Sequence, residues 1–230
     1  MHGFAIALLA GVFACGEDRP GAPAREGGAV SVLGEAPEFA LLDQQGDEFR
    51  SADLRGKLWV ADFVFTRCTS MCPRLTAAMA KLQGELSGKP LWDQVRLVSF
   101  SVDPEHDRPD VLAEYAERYE ADRVHWTFAT GTREEIWGLS VDGFKLPVGS
   151  QAGDADQPLF HSDRFVLVDR QGRIRGYYPA LEPEGIPSLI DDLNAVARED
   201  EIRVRWPSGA EPRVEGPIET NRLVEIQEPE

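Results

Sequence analysis

No stretch of twenty apolar residues occurs in the body of this 230-residue chain, which excludes an internal membrane-spanning helix. Positive charge is in short supply. Lys and Arg number 24 against 40 Asp and Glu, a formal net charge of −16, which argues against a nucleic-acid surface. The acid excess reads as a well-solvated surface, with attraction of cationic partners or metal ions as the second reading. No internal repeat is visible. Cysteine is rare: Cys15, Cys68 and Cys72 are the full set, an odd number that leaves one thiol over in an exported protein.

What is present begins with the N-terminus. Phe4 to Ala14 is an apolar run of small residues, too short to span a bilayer and of the length of a secretory h-region. It ends in Val12-Phe13-Ala14-Cys15 and gives way at once to Gly16-Glu17-Asp18-Arg19-Pro20. A cysteine after a small residue at such a boundary is similar to a bacterial lipoprotein cleavage site. The expectation is a leader over 1–15 with Cys15 lipidated, and an exported, membrane-anchored protein facing the periplasm or cell exterior. A buried N-terminal helix is the alternative. Residues 16–33, rich in Gly, Pro, Ala and charge, read as a flexible tether.

The body, 34–199, alternates strand-like and helix-like segments. Phe39 to Phe49 reads as a hairpin turning at Gln44-Gln45-Gly46-Asp47. Leu58 to Phe65 and Val95 to Val102 read as buried strands. Leu75, Met79, Leu82 and Leu86 have helical spacing in a helix from Pro73. Asp107 is placed to cap a helix running to Tyr119, with Pro109 in its first turn. A strand at Trp126 to Ala129 and a helix at Thr132 to Leu139 follow. Arg164 to Val168 and Ile174 to Tyr178 flank the turn Asp169-Arg170-Gln171-Gly172, and a helix over Ile186 to Ala197 closes the body. Strands alternating with helices imply an α/β fold with a central mixed sheet flanked by helices. A final antiparallel hairpin and helix give it a thioredoxin-like pattern. Beyond it, 200–230 reads as a small β hairpin appendage, and Trp206-Pro207-Ser208-Gly209 with Asn221-Arg222-Leu223 resembles the ASPIC/UnbV module.

The chemistry concentrates in Phe65-Thr66-Arg67-Cys68-Thr69-Ser70-Met71-Cys72-Pro73. The segment follows a buried strand and opens a helix. Proline favours the first helical position and biases its predecessor away from the helix, so Cys72 is expected as N-cap with Cys68 in the loop above. Both sulfurs then lie near a helix N-terminus, where thiolate is favoured. Three intervening residues still allow a disulfide and leave room for both thiolates to face one ion. Two thiolates suit Cu(I), and an imidazole would admit Cu(II). Of His2, His106, His125 and His161, the last is best placed, because the loop before the Arg164 strand faces the cysteine loop in a thioredoxin-like fold. Met71 as a thioether ligand is weighed against a packed or exposed side chain. Asp103 is weighed as an outer-sphere carboxylate against a turn residue.

Phe63 to Pro73, then Ser99-Phe100-Ser101-Val102-Asp103-Pro104-Glu105-His106-Asp107, then Trp126 to Gly131, then His161 before Phe165-Val166-Leu167-Val168-Asp169, resemble the Sco/SenC copper-protein family in order and spacing. The resemblance covers roughly Gly34 to Ala197. It implies copper held by Cys68, Cys72 and His161, and a role in assembling the binuclear copper site of cytochrome c oxidase. Many relatives carry Asp between the cysteines, where this chain has Ser70 and Met71. A copper metallochaperone is the first functional expectation. The second is an enzyme, a thiol-disulfide oxidoreductase cycling Cys68 and Cys72 and reducing an oxidase subunit or another exported protein.

Overall fold

The computed structural model describes residues 25–26, 29–150 and 159–199. The expected leader with Cys15, most of the tether and the appendage with its ASPIC/UnbV-like positions lie outside the described residues. In chain order the elements are β1 (Arg25–Glu26), β2 (Ala29–Val30), β3 (Gly34–Glu35), β4 (Ala40–Leu42), β5 (Glu48–Arg50), β6 (Leu58–Val64), α1 (Met71–Leu86), β7 (Val95–Ser101), α2 (Pro109–Arg118), β8 (Trp126–Ala129), α3 (Arg133–Gly138), β9 (Val148–Ser150), β10 (Leu159–His161), β11 (Arg164–Val168), β12 (Arg173–Pro179) and α4 (Gly185–Glu199).

Six strands form one mixed sheet in the order β3-β12-β11-β6-β7-β8. β6, β7 and β8 run parallel, while β11 is antiparallel to both β6 and β12. This is the thioredoxin-like arrangement expected: parallel strands joined through helices, then a hairpin and a closing helix. β6 reads Leu-Trp-Val-Ala-Asp-Phe-Val with every residue buried, as a central strand covered on both faces requires. Phe63 stacks on Phe100 of β7 at 5.3 Å. On α1 the expected stripe of Leu75, Met79, Leu82 and Leu86 is buried, each side chain contributing about 1.5–3 kcal/mol.

The Phe39 to Phe49 hairpin forms as β4 and β5. The Asp43 carboxylate accepts from the amides of Gln45 at 2.8 Å and Asp47 at 3.0 Å. Gly46 takes φ +85°, a conformation glycine adopts without strain. Gln44, expected as an ordinary turn residue, is buried: its amide donates to Trp126 O and accepts from Phe128 N, pinning the hairpin to β8. Within the stretch expected as tether, Val30 of β2 is buried and its amide donates to Glu199 of α4 at 3.0 Å.

Three local expectations need correction. Asp107 does not cap α2. The helix starts at Pro109 with Arg108 as N-cap, and the Asp107 carboxylate turns inward to Thr66 and Ser101. The helix expected over Thr132 to Leu139 starts at Arg133, with Thr132 as its N-cap and Glu135 completing a capping box, and it runs on into a π turn over Leu139–Gly143. The hairpin of β9 and β10 was not expected, and His161 lies inside it rather than in a loop.

One residue conflicts with its surroundings. Asp62, in the middle of β6, is fully buried, and among the described residues neither carboxylate oxygen has a hydrogen-bond partner. Ser99, its register partner on β7, instead accepts from the Trp126 indole N–H at 3.0 Å. Burial raises the Asp62 carboxyl from 3.8 to about 7, with the Ser99 hydroxyl a smaller opposing influence. An acid raised on folding weakens the fold once the unfolded chain ionises. The penalty is absent below about pH 4, grows towards pH 7 and levels above it, reaching about 4 kcal/mol at most. The stability gained by Asp62→Asn should therefore rise across this window in denaturant titrations. A difference independent of pH would contradict it.

Candidate metal and thiol site

β6 delivers the chain to Phe65, and the loop Thr66 to Ser70 leads into α1. The helix begins at Met71 with Ser70 as N-cap, so Cys72 is not the cap and Pro73 is the third helical residue. Proline is tolerated there because the N–H it lacks has no intrahelical partner in a first turn. Ser70 makes no side-chain cap bond. The Cys68 sulfur does that work, accepting the Cys72 amide at 3.3 Å.

This position makes the two thiols unlike. Cys68 is lowered to about 5, held first by the Cys72 thiol and then by the amides of Cys72, Ser70 and Met71 against the opposing effect of burial. Cys72 is pushed up, chiefly by burial and next by the Cys68 sulfur, to which it gives its proton. At neutral pH the pair is one thiolate and one thiol, and both are free of disulfide. Cys72 is 0% exposed and Cys68 7%.

β10 brings the third side chain. His161 is 7% exposed, and its Nε2 stands 3.0 Å from Cys72 Sγ. Its Nδ1 lies 2.9 Å from Ser162 O. A carbonyl only accepts, so Nδ1 carries the hydrogen and Nε2 keeps its lone pair towards the sulfur. Burial lowers the imidazole below its ordinary value, which keeps it neutral. The edge of Phe65 meets the ring at 5.7 Å and 85°, fixing its plane. Thr76 Oγ1 donates to Cys72 O at 2.9 Å and meets Tyr115 Oη at 2.8 Å, tying the first turn of α1 to α2.

Three donors therefore converge on the single proton of Cys72: the Cys68 thiolate, the Cys72 sulfur and His161 Nε2. Two sulfurs and a neutral imidazole suit a soft or borderline cation in place of that proton. Among the described residues no three His, Cys, Asp or Glu side chains are gathered tightly enough to share an ion as they stand. Cys68 Sγ is engaged by the Cys72 amide at 3.3 Å.

The other candidates fall elsewhere. The buried Asp103 carboxylate pairs with Arg67, next to Cys68, and its carbonyl accepts from His106 and Asp107 to close a turn. It thus meets the loop through Arg67. His125 stacks on Trp92 at 4.3 Å and bonds Asp122 at 3.0 Å, in a structural pocket. Met71 is half-buried in the first turn of α1. Asp62, Thr66 and Ser101 escaped sequence reasoning. The signal available was a charged residue, Asp62, inside the otherwise apolar β6, and two serines, Ser99 and Ser101, at alternate positions of β7.

The thiol assignment has a direct check. Alkylation of the reduced, folded protein should modify Cys68 alone, with a pH midpoint at about 5. A midpoint in the ordinary thiol range, or equal modification of Cys72, would overturn it.

The SCO1/SenC family model matches residues 32–198. Among solved structures, a SCO1/SenC family lipoprotein from Bacillus anthracis is 33% identical with a TM-score of 0.68, covering 74% of this chain and 99% of that one. BsSco, a member of the Sco family of cytochrome c oxidase assembly proteins with a disulfide switch, is 32% identical with a TM-score of 0.66, covering 74% of this chain and 98% of that one. Bradyrhizobium japonicum ScoI with copper bound shares the fold at 24% identity and a TM-score of 0.59, covering 70% of this chain and 99% of that one. With a matched region spanning the whole mixed sheet, the site loop and β10, this chain belongs to the SCO1/SenC family.

Proposed function

We propose that this protein is a copper metallochaperone that holds copper through Cys68, Cys72 and His161. The observation that carries the reading is the 3.0 Å contact of His161 Nε2 with Cys72 Sγ, its lone pair fixed by the Nδ1–Ser162 bond. A thiol exchange needs no such imidazole; a three-donor metal site does. Copper is cargo here: a partner's donors replace these ligands one at a time, and the ion passes on. Family membership supports the copper-site subunit of cytochrome c oxidase as recipient. The leader sequence and a lipoprotein relative support an exported chain anchored through Cys15.

The unequal thiols favour a second activity on the same residues. The Cys68 thiolate attacks a partner disulfide, one partner thiolate leaves, and a mixed disulfide forms. Cys72 then gives its proton to the partner thiolate already released, attacks Cys68 Sγ and expels the second partner thiolate. The chain's dithiol supplies both electrons and ends as the Cys68–Cys72 disulfide.

His161→Ala separates the two. Cu(I) titration of the reduced protein against a competing chelator should show affinity falling about 100-fold in His161→Ala, with a larger loss in Cys68→Ser and Cys72→Ser. Reduction of a peptide disulfide should persist in His161→Ala, since the first attack needs no imidazole. Undiminished copper binding by His161→Ala or Cys68→Ser would overturn the chaperone reading.

A further inference from the structure

The loop that carries Cys68 has few fastenings of its own. Cys68 N donates to Phe65 O at 3.3 Å, a long bond. The stem just before it is held from outside, by the turn that follows β7. Asp107 in that turn is fully buried. Its Oδ2 accepts the Thr66 amide at 3.0 Å, and its Oδ1 accepts the Thr66 hydroxyl at 2.5 Å. Ser101 Oγ donates to Oδ2 at 2.6 Å and itself accepts the Asp103 amide at 3.1 Å. The Asp107 amide closes back on Asp103 O at 2.9 Å.

Three donors on two oxygens suit a carboxylate and no other side chain of this size. An asparagine in its place turns an NH₂ towards one of them and leaves a buried donor unmet. The arrangement is also two-pronged. Thr66 is gripped through both backbone and side chain, which fixes the direction in which the chain leaves β6. Two residues on, that direction decides where the Cys68 sulfur lies.

We propose that Asp107 is a positioning residue for the cysteine loop, its buried carboxylate holding Thr66 so that Cys68 Sγ is presented to the α1 amides beside Cys72 and His161. The proposal rests on the reading that Cys68 and Cys72 perform the chemistry. It assigns the Asp107 carboxylate to the site, reached through Thr66, where helix capping would have made it a distant structural residue.

The test uses the full chain, reduced, in Asp107→Asn, Thr66→Val and Thr66→Ser, with Asp122→Asn as a control carboxylate far from the loop. Two quantities are read on the folded fraction: the alkylation rate of Cys68 at pH 6 and the Cu(I) affinity against a competing chelator. Asp107→Asn should slow alkylation several-fold and weaken Cu(I) binding by about 10–100-fold. Thr66→Val, which keeps the amide and loses the hydroxyl, should fall between. Thr66→Ser keeps both donors and should match the parent, as should Asp122→Asn. A merely structural role lowers the melting temperature and leaves both quantities unchanged in the folded fraction, and that result would overturn the proposal. If Asp107→Asn does not fold, Thr66→Val with parental values overturns it as well. Failure of the parent chain to bind copper would instead count against the chaperone reading, while the alkylation ratios still decide the role of Asp107.

Discussion

The contact between Cys72 and His161 organises the rest of the site. It lies inside the protein, so water satisfies neither group and the proton between them is bound to protein donors and acceptors alone. The Cys72 proton has two acceptors, the Cys68 thiolate and the imidazole lone pair. Everything nearby keeps that proton contested. Ser162 holds the imidazole in one tautomer, Phe65 holds its plane, and Thr76 with Tyr115 holds the turn bearing Cys72. The Cys72 thiol first, and then the amides at the start of α1, hold the Cys68 thiol below its ordinary value. For the proposed copper site, one proton would have to leave and the three side chains would have to draw closer than they stand here.

The same two thiols are unequal, as a nucleophile and a resolving cysteine would need to be for the proposed thiol exchange. On the proposed copper site, copper handling and disulfide chemistry would compete for Cys68 and Cys72, since a disulfide between them would remove two of the three proposed ligands at once. Two buried carboxylates near the site differ: among the described residues Asp62 on β6 has no hydrogen-bond partner, whereas Asp107, in the turn after β7, is satisfied by Thr66 and Ser101. Local conflict with the core marks such positions as places where sequence answers to something besides packing.

The legible parts were those governed by periodicity and burial. β6 was legible as a strongly apolar run, β7 as a second strand, α1 by its Leu-Met-Leu-Leu stripe, and the β11–β12 hairpin by the turn Asp169-Arg170-Gln171-Gly172 between two strand-like segments. The cysteine pair and His161 were legible as candidates because the fold class places their loops on the same side of the sheet. Local rules failed where side chains did unusual work. The start of α1 was misplaced because a sulfur, not an oxygen, receives the Cys72 amide. Asp107 looked like a cap because aspartate before Pro109 fits that pattern, and only the three-dimensional return of Thr66 reveals its other use. β9 and β10 are three residues each and, among the described residues, pair only with each other, so they carry too little pattern to register.

X-ray absorption at the copper edge of the Cu(I)-loaded, reduced protein tests the central claim most directly. The predicted signal is two sulfur neighbours and one imidazole nitrogen, with the imidazole scattering lost in His161→Ala and one sulfur lost in Cys68→Ser. Copper bound with no imidazole contribution, or with a shell unchanged in these two variants, would contradict it.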